Sequence, residues 1–148
     1  MTKAIIFDFD GVIVESDPFH RKAMDHAAKQ VGLSCSQQTN DKYFLGKKLN
    51  KAASEFLKAY GKEEELDYFL KGKMQFDPHY AEGVIIFQET INFIKKNKDK
   101  YRFCICTGSR RILMNSFFKR YKIKEDFEFI LSGDDYSEGK PDPESYEL

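Results

Sequence analysis

Residues that could carry out chemistry stand in three short clusters along the chain. Two aspartates, Asp8 and Asp10, come at the end of a short apolar run. Thr107 ends a second apolar run, and Lys140 lies in a Gly-Lys-Pro segment that comes after a third. Taken singly, each of these motifs is most often a surface turn, a helix cap or a loop. Their order, each at the end of a predicted strand, favours one common site, because ligands bind at the carboxyl ends of the strands in open α/β sheets.

The spacing of the two aspartates favours a metal-assisted site. Side chains two residues apart at the end of a strand point the same way, and two close carboxylates repel each other unless a cation or proton intervenes. Mg²⁺ suits such a pair, since it takes oxygen ligands and few protein groups. We therefore predict Mg²⁺ at Asp8 and Asp10. Asp8 would attack phosphorus as a nucleophile, and Asp10 would protonate the leaving group and later activate water.

The second and third clusters are suited to hold an anion. The Thr107 hydroxyl and the backbone N–H groups of Gly108 and Ser109 precede a predicted helix, and such groups can cradle phosphate. The alternative is an ordinary strand-to-helix turn with Ser109 as the N-cap. Lys140 adds a mobile positive charge for phosphoryl oxygens. Arg110 either contacts the substrate or only occupies the first helical turn.

Hydrophobic periodicity predicts the elements that position these clusters. From about residue 17 to residue 80 the apolar spacing predicts a block of three or four helices. Short apolar runs rich in β-branched and aromatic residues predict three parallel strands, over 4–9, 102–107 and 127–131. Two further helices are predicted over 84–96 and 110–121. Strands that alternate with helices imply a parallel sheet covered on both faces.

Composition excludes several classes of protein. The 148 residues are 41% hydrophobic and 15% aromatic, which is enough apolar surface for a folded domain. Lys and Arg together number 24, as do Asp and Glu, so no net charge favours nucleic acid or an anionic membrane. No apolar stretch approaches the roughly 20 residues that span a bilayer. Three cysteines, an odd number, predict reduced thiols in a cytoplasmic protein.

These motifs together resemble those of the haloacid dehalogenase (HAD) superfamily, specifically its phosphatase and β-phosphoglucomutase-like branch with a helical cap. Asp8-Phe9-Asp10-Gly11-Val12-Ile13 matches the first motif of the family, and Thr107-Gly108-Ser109 matches the second. Gly139-Lys140-Pro141-Asp142-Pro143 resembles the third. The resemblance implies a Rossmann-like α/β core over 1–15 and 82–148, with an α-helical cap over 16–81.

The resemblance also implies an activity, namely a Mg²⁺-dependent phosphatase that acts on a small phosphorylated metabolite. Asp8 would form an aspartyl-phosphate, and Asp8 with the backbone carbonyl of Asp10 would bind the metal. An Asp two residues after the nucleophile is typical of the phosphatases and phosphomutases, so a sugar phosphomutase is the alternative.

Four further residues are implied as substrate contacts, and three of them also have a plainer interpretation. Gly11 belongs to the first motif. His20 stands where the mutase branch has a helper in proton transfer, but a packed or solvated helix position is the alternative. Gly46 and Lys47 resemble the substrate loop of the cap, and the alternative is a helix boundary with solvated lysines.

The sequence departs from the family at its fourth motif, an acidic pair on a later strand that completes the Mg²⁺ site. The printed sequence reaches Leu148 before such a strand. We therefore expect an incomplete core that lacks the C-terminal strands of the family. The first strand would then have an unpaired apolar edge that another chain could cover. A third functional alternative is thus an inactive phosphate-binding or interaction module.

Overall fold

The computed structural model describes residues 3–45 and 47–148. The chain forms two compact units, one of Met1–Asp17 with Tyr80–Leu148 and one of Pro18–His79. The described strands are β1 (Lys3–Phe7), β2 (Val14–Glu15), β3 (Ile85–Ile86), β4 (Tyr101–Cys106) and β5 (Phe129–Leu131). The described helices are α1 (Asp17–Gln30), α2 (Gln37–Tyr43), α3 (Leu49–Lys58), α4 (Leu66–Met74), α5 (Tyr80–Gly83), α6 (Gln88–Asn97), α7 (Arg111–Tyr121) and α8 (Glu144–Glu147).

A three-stranded parallel sheet, in the order β1-β4-β5, forms the centre of the first unit. All three strands are rich in β-branched and aromatic residues, which pack well on a pleated surface. The predicted α/β fold with a parallel sheet is confirmed. Within the described residues β1 is hydrogen-bonded to β4 alone and lies at one edge of the sheet.

The two faces of this sheet differ in burial. Phe103 and Ile105 of β4 are 2% and 1% exposed, and Phe93 of α6 packs against the ring of Phe103 with centroids 6.1 Å apart. On the other face Ile6 is 53% exposed and Phe129 48% exposed, with Cys104 between them in the strand register. The prediction that both faces are covered is therefore wrong for the described residues.

Several boundaries differ from the sequence predictions, and the third strand begins at Phe129 rather than at residue 127. The predicted helix over 84–96 is wrong at its start, because Ile85 and Ile86 pair as β3, antiparallel to β2, and the helix begins only at Gln88. The first strand ends at Phe7 rather than at residue 9. Beyond it the carbonyl oxygen of Phe9 accepts hydrogen bonds from three successive backbone N–H groups, which turns the chain away from the sheet.

The second unit is helical and packs α1–α4 around aromatic side chains. The rings of Phe44 and Phe69 stack with centroids 6.0 Å apart, and Phe56 contacts both. Lys73 and Asp77 form an ion pair inside this unit, with 3.4 Å between Nζ and Oδ1 and side chains only 4% and 6% exposed. The number of these helices agrees with the block predicted from periodicity.

None of the helices in the described part of the chain is long and apolar enough to cross a membrane. The three cysteines, Cys35, Cys104 and Cys106, are free thiols.

Candidate active site

The predicted catalytic residues lie at the carboxyl ends of the parallel strands, all in the first unit. Asp8 directly follows β1, and Asp10 stands in the turn beyond it. Thr107 directly follows β4, and Lys140 lies in the loop after β5. The structure brings them into two contact sets, one around Asp8 and one around Asp10.

Asp8 and Lys140 form the first contact set. Asp8 Oδ1 accepts a hydrogen bond from the N–H of Phe9 at 2.7 Å. Its Oδ2 lies 3.2 Å from Lys140 Nζ, which also donates to the carbonyl oxygen of Cys106 at 2.8 Å. Lys140 therefore bridges the ends of β1 and β4, and its predicted contact with phosphoryl oxygens remains a prediction.

The charge of Lys140 depends on Asp8. Partial burial opposes the ammonium form, but the charge of Asp8 and the hydrogen bond to it outweigh burial and raise the pKa of Lys140. The lysine thus stays protonated and places a positive charge beside the Asp8 carboxylate. The Asp8 side chain is 44% exposed, so one partner of this pair remains accessible to a ligand.

Asp10 is surrounded by side-chain hydroxyls. Its Oδ1 accepts from Ser16 Oγ at 2.6 Å and from the Tyr80 hydroxyl at 3.0 Å. Its Oδ2 accepts from Ser109 Oγ at 2.5 Å and from Thr107 Oγ1 at 3.5 Å. Four hydroxyl groups thus match the roughly four acceptor positions of a carboxylate and fix its orientation.

Burial keeps the Tyr80 hydroxyl a donor. The side chain is fully buried. Its burial, followed by the negative charge of Asp10, raises the pKa of the phenol far above its ordinary value.

A tight turn presents Asp10. Gly11 has φ +75, a conformation that glycine adopts without steric cost, and its N–H donates to the carbonyl oxygen of Val14 at 2.7 Å. The structure thus gives Gly11 a conformational role, and its predicted contact with substrate remains a prediction.

The Thr107–Ser109 turn differs in detail from the predicted cradle. The N–H of Ser109 donates to Thr107 Oγ1 at 3.1 Å, so this donor is already engaged. Helix α7 begins only at Arg111, with Arg110 at the N-cap position and no side-chain cap bond. The alternative interpretation of Ser109 as the N-cap is therefore wrong. Asp134 Oδ2 instead accepts from the N–H of Arg111 at 2.7 Å.

A loop that the sequence reasoning did not connect with the site supports this turn. The N–H of Gly133 donates to the carbonyl oxygen of Ser109 at 2.8 Å. A Cβ atom on Gly133 would lie 2.3 Å from the carbonyl oxygen of Gly108, so only glycine fits there. The buried Tyr136 hydroxyl donates to the carbonyl oxygen of Thr107 at 2.9 Å, and burial raises the pKa of this phenol to about 12.

The remaining predicted contacts lie in the helical unit. His20, on α1, packs edge-on against the ring of Phe19 at 5.7 Å between centroids. Lys47 Nζ lies 2.8 Å from Glu55 Oε2, and both side chains are about 40% exposed. Gly46 lies outside the described residues. The substrate roles of these three residues remain predictions.

The donor set at the strand ends suits a hard cation with few protein ligands. The part of the chain that the structure describes holds no group of three or more His, Cys, Asp or Glu side chains suited to a metal ion. Mg²⁺ commonly uses only one or two carboxylates, with water and substrate phosphate as its other ligands. The Asp8 carboxylate and the Asp10 backbone carbonyl fit that requirement.

The fold is an α/β fold with a parallel sheet, and these side chains lie at its carboxyl edge, where open α/β sheets bind ligands. The family model described as haloacid dehalogenase-like hydrolase matches residues 5–148. The chain therefore belongs to the haloacid dehalogenase-like hydrolases, as its motifs predicted.

Individual relatives agree with this membership. The phosphorylated carbohydrates phosphatase of Thermotoga maritima is 25% identical over 151 residues, which cover 99% of this chain and 68% of that protein. The crystal structure of CbbY from Rhodobacter sphaeroides in complex with phosphate has a TM-score of 0.83 at 21% identity, covering 100% of this chain and 71% of that one. A putative β-phosphoglucomutase from Thermotoga maritima has a TM-score of 0.69 at 21% identity, covering 98% and 68%.

The two solved structures show the fold. The family match confirms the predicted hydrolase class, and the phosphatase relative supports a phosphoric monoester hydrolase.

Proposed function

We propose that this chain is a Mg²⁺-dependent phosphatase that hydrolyses a small phosphorylated metabolite through an aspartyl-phosphate on Asp8. The observation that carries the proposal is the accessible Asp8 carboxylate, paired with Lys140 beside the hydroxyl-bound Asp10. A cytoplasmic location remains a prediction.

Asp8 is suited to be the nucleophile because its negative charge is stabilised while the side chain stays partly exposed. In the first step an Asp8 oxygen bonds to phosphorus and the bond from phosphorus to the substrate oxygen breaks. The leaving oxygen takes a proton from Asp10, which enters this step as the carboxylic acid and leaves it as the carboxylate. In the second step water attacks the same phosphorus and gives a proton to the Asp10 carboxylate, and the bond from phosphorus to the Asp8 oxygen breaks, which releases inorganic phosphate and free Asp8.

The other strand-end groups would hold the transferring phosphoryl group. Lys140 brings a positive charge to the Asp8 oxygen, where negative charge of the phosphoryl group accumulates. The Thr107 and Ser109 hydroxyls and the N–H of Gly108 form the proposed phosphate contacts. Positioning and charge stabilisation of this kind supply most of the catalysis in phosphoryl transfer.

Asp8 and the backbone carbonyl of Asp10 are the proposed Mg²⁺ ligands. Bound Mg²⁺ would neutralise charge on the phosphoryl oxygens and on the nucleophile.

The substrate class follows from the relatives and stays general. One relative is named a phosphatase of phosphorylated carbohydrates, and another carries phosphate in its crystal structure. We propose that the helical unit acts as a cap and that His20, Gly46, Lys47 and Arg110 contribute to substrate contacts. A sugar phosphomutase is the second candidate, because a putative β-phosphoglucomutase shares the fold and its first half-reaction would use the same groups.

The first experiment measures Mg²⁺-dependent release of phosphate from an aryl phosphate. Asp8→Asn should abolish turnover, as should a chelator, whereas Asp99→Asn, a change at an exposed aspartate, should preserve it. Persistence of turnover in Asp8→Asn would refute the nucleophile. If the unmodified chain shows no turnover but binds inorganic phosphate in a calorimetric titration, the inactive phosphate-binding module replaces the enzyme. Isomerisation of a sugar phosphate without net phosphate release would instead identify the phosphomutase.

A further inference from the structure

We infer that Tyr80 is a positioning residue that fixes Asp10 through Oδ1 and so leaves Oδ2 as the oxygen that exchanges a proton with the substrate. This inference rests on the proposed function, in which Asp10 is the acid and base.

The contact comes from a residue far from Asp10 in sequence. Tyr80 begins α5, which starts the second segment of the first unit, and is separated from Asp10 by 70 residues. Its side chain is fully buried, and its hydroxyl donates to Asp10 Oδ1 at 3.0 Å. A buried ring on a helix has little rotational freedom, so the direction of its O–H fixes the direction of the carboxylate.

The two oxygens of Asp10 accept from different pairs of hydroxyls. Oδ1 is held by Tyr80 and by Ser16, which are 0% and 2% exposed. Oδ2 is held by Thr107, which is 1% exposed, at the long distance of 3.5 Å, and by Ser109, which is only partly buried and also hydrogen-bonds with the Tyr80 hydroxyl.

The donors at Oδ2 and those at Oδ1 differ in their relation to the proposed phosphate cradle. Ser109 and Thr107 belong to the proposed phosphate cradle, so the arrival of a phosphoryl group gives both hydroxyls new oxygens to bind. Oδ2 is then released toward the substrate, while Tyr80 continues to hold Oδ1. A carboxylate that is anchored at one oxygen and released at the other presents its proton in a single direction, as general acid catalysis requires.

Tyr80→Phe removes the hydroxyl and keeps the ring, so it tests the hydrogen bond. We expect kcat for an aryl phosphate to fall about tenfold or more, as for a lost hydrogen bond to a charged group. KM should change less than about twofold, because Asp10 acts on the leaving group and not on binding. Tyr121→Phe is the matched control, since this tyrosine also lies in the first unit and its hydroxyl donates to the carbonyl oxygen of Ala81, at 3.5 Å. It should keep the unmodified kcat.

A double-mutant cycle tests whether Tyr80 affects kcat through Asp10 or through a general loss of structure. In an Asp10→Ala background Tyr80→Phe should cost no further activity, because the group that it positions is gone. An equal loss in both backgrounds would overturn the inference, as would an unchanged kcat in Tyr80→Phe.

The same cycle keeps the two proposals distinguishable. If the unmodified chain turns over with Asp8 dependence but Tyr80→Phe keeps full kcat, the proposed function stands and the positioning role fails. If the unmodified chain has no turnover, the proposed function fails, and urea unfolding of the same four variants decides the remaining inference. Non-additive effects of Tyr80→Phe and Asp10→Ala on the free energy of unfolding would support the anchored carboxylate, and additive effects would overturn it.

Discussion

Gly133 and Gly108 provide a sharp test of how the phosphate-binding turn is supported. A Cβ atom on Gly133 would lie 2.3 Å from the carbonyl oxygen and 2.9 Å from the carbonyl carbon of Gly108. Both are backbone atoms and cannot rotate away, so one of the two loops must move. Overpacking of this kind costs about 1–3 kcal/mol. Movement would also weaken the hydrogen bond from Gly133 to Ser109, worth about 1 kcal/mol.

We therefore expect Gly133→Ala to lower the free energy of unfolding by about 2–4 kcal/mol. For a chain of this size that corresponds to a Tm lower by roughly 5–10 °C. Turnover should fall as well, because Thr107 and Ser109 would shift with the turn. Urea unfolding followed by circular dichroism measures the first effect, and phosphate release measures the second.

Gly108→Ala is the matched control for stability. Nothing lies within 4 Å of a Cβ built on Gly108, so its free energy of unfolding should stay within about 0.5 kcal/mol of the unmodified chain. Equal stability of Gly133→Ala and the unmodified chain would refute the close approach of the two loops.

Two further predictions concern charged groups. Lys73→Met removes the cation from the buried Asp77 and should lower the free energy of unfolding by about 3–5 kcal/mol. The double variant Lys73→Met with Asp77→Leu should recover most of the lost stability. A double variant no more stable than Lys73→Met would contradict this account. Burial pushes the pKa of Asp135 up, but hydrogen bonds from Ser132 and the ion pair with Arg111 outweigh burial and hold the pKa below its ordinary value. The stabilisation is therefore present above the unfolded-state pKa, about 3.9, and lost as the pH falls through the lower folded-state pKa. Thermal melts across this acidic range should show a steeper loss of Tm in the unmodified chain than in Asp135→Asn, and parallel curves would count against the ion pair.

The sequence predicted the strand-end residues because their placement follows from chain order. Asp8 and Thr107 directly follow short apolar runs whose β-branched and aromatic residues favour strands, and the carboxyl ends of parallel strands meet at one edge. The α/β fold and the helical block were predicted from a different signal, the hydrophobic periodicity of the sequence.

The hydroxyls around Asp10 could not be predicted in this way. Ser16 and Tyr80 lie outside any recognisable motif, and the contact of Tyr80 with Asp10 spans 70 residues. Gly133 looked like an ordinary loop glycine, because the close approach that requires it involves another loop. Ile85 and Ile86 read as helical by spacing, yet pairing with β2 outweighs that local pattern.

The thiol of Cys104 provides a site for chemical labelling on the exposed face of the sheet. It is half-buried between Ile6 and Phe129, and burial raises the pKa of its thiol, which slows alkylation without preventing it. Cys35 and Cys106 are buried, so they provide an internal reference within the same molecule. The rate at which a maleimide modifies Cys104, relative to Cys35 and Cys106, thus reports whether this face of the sheet is covered.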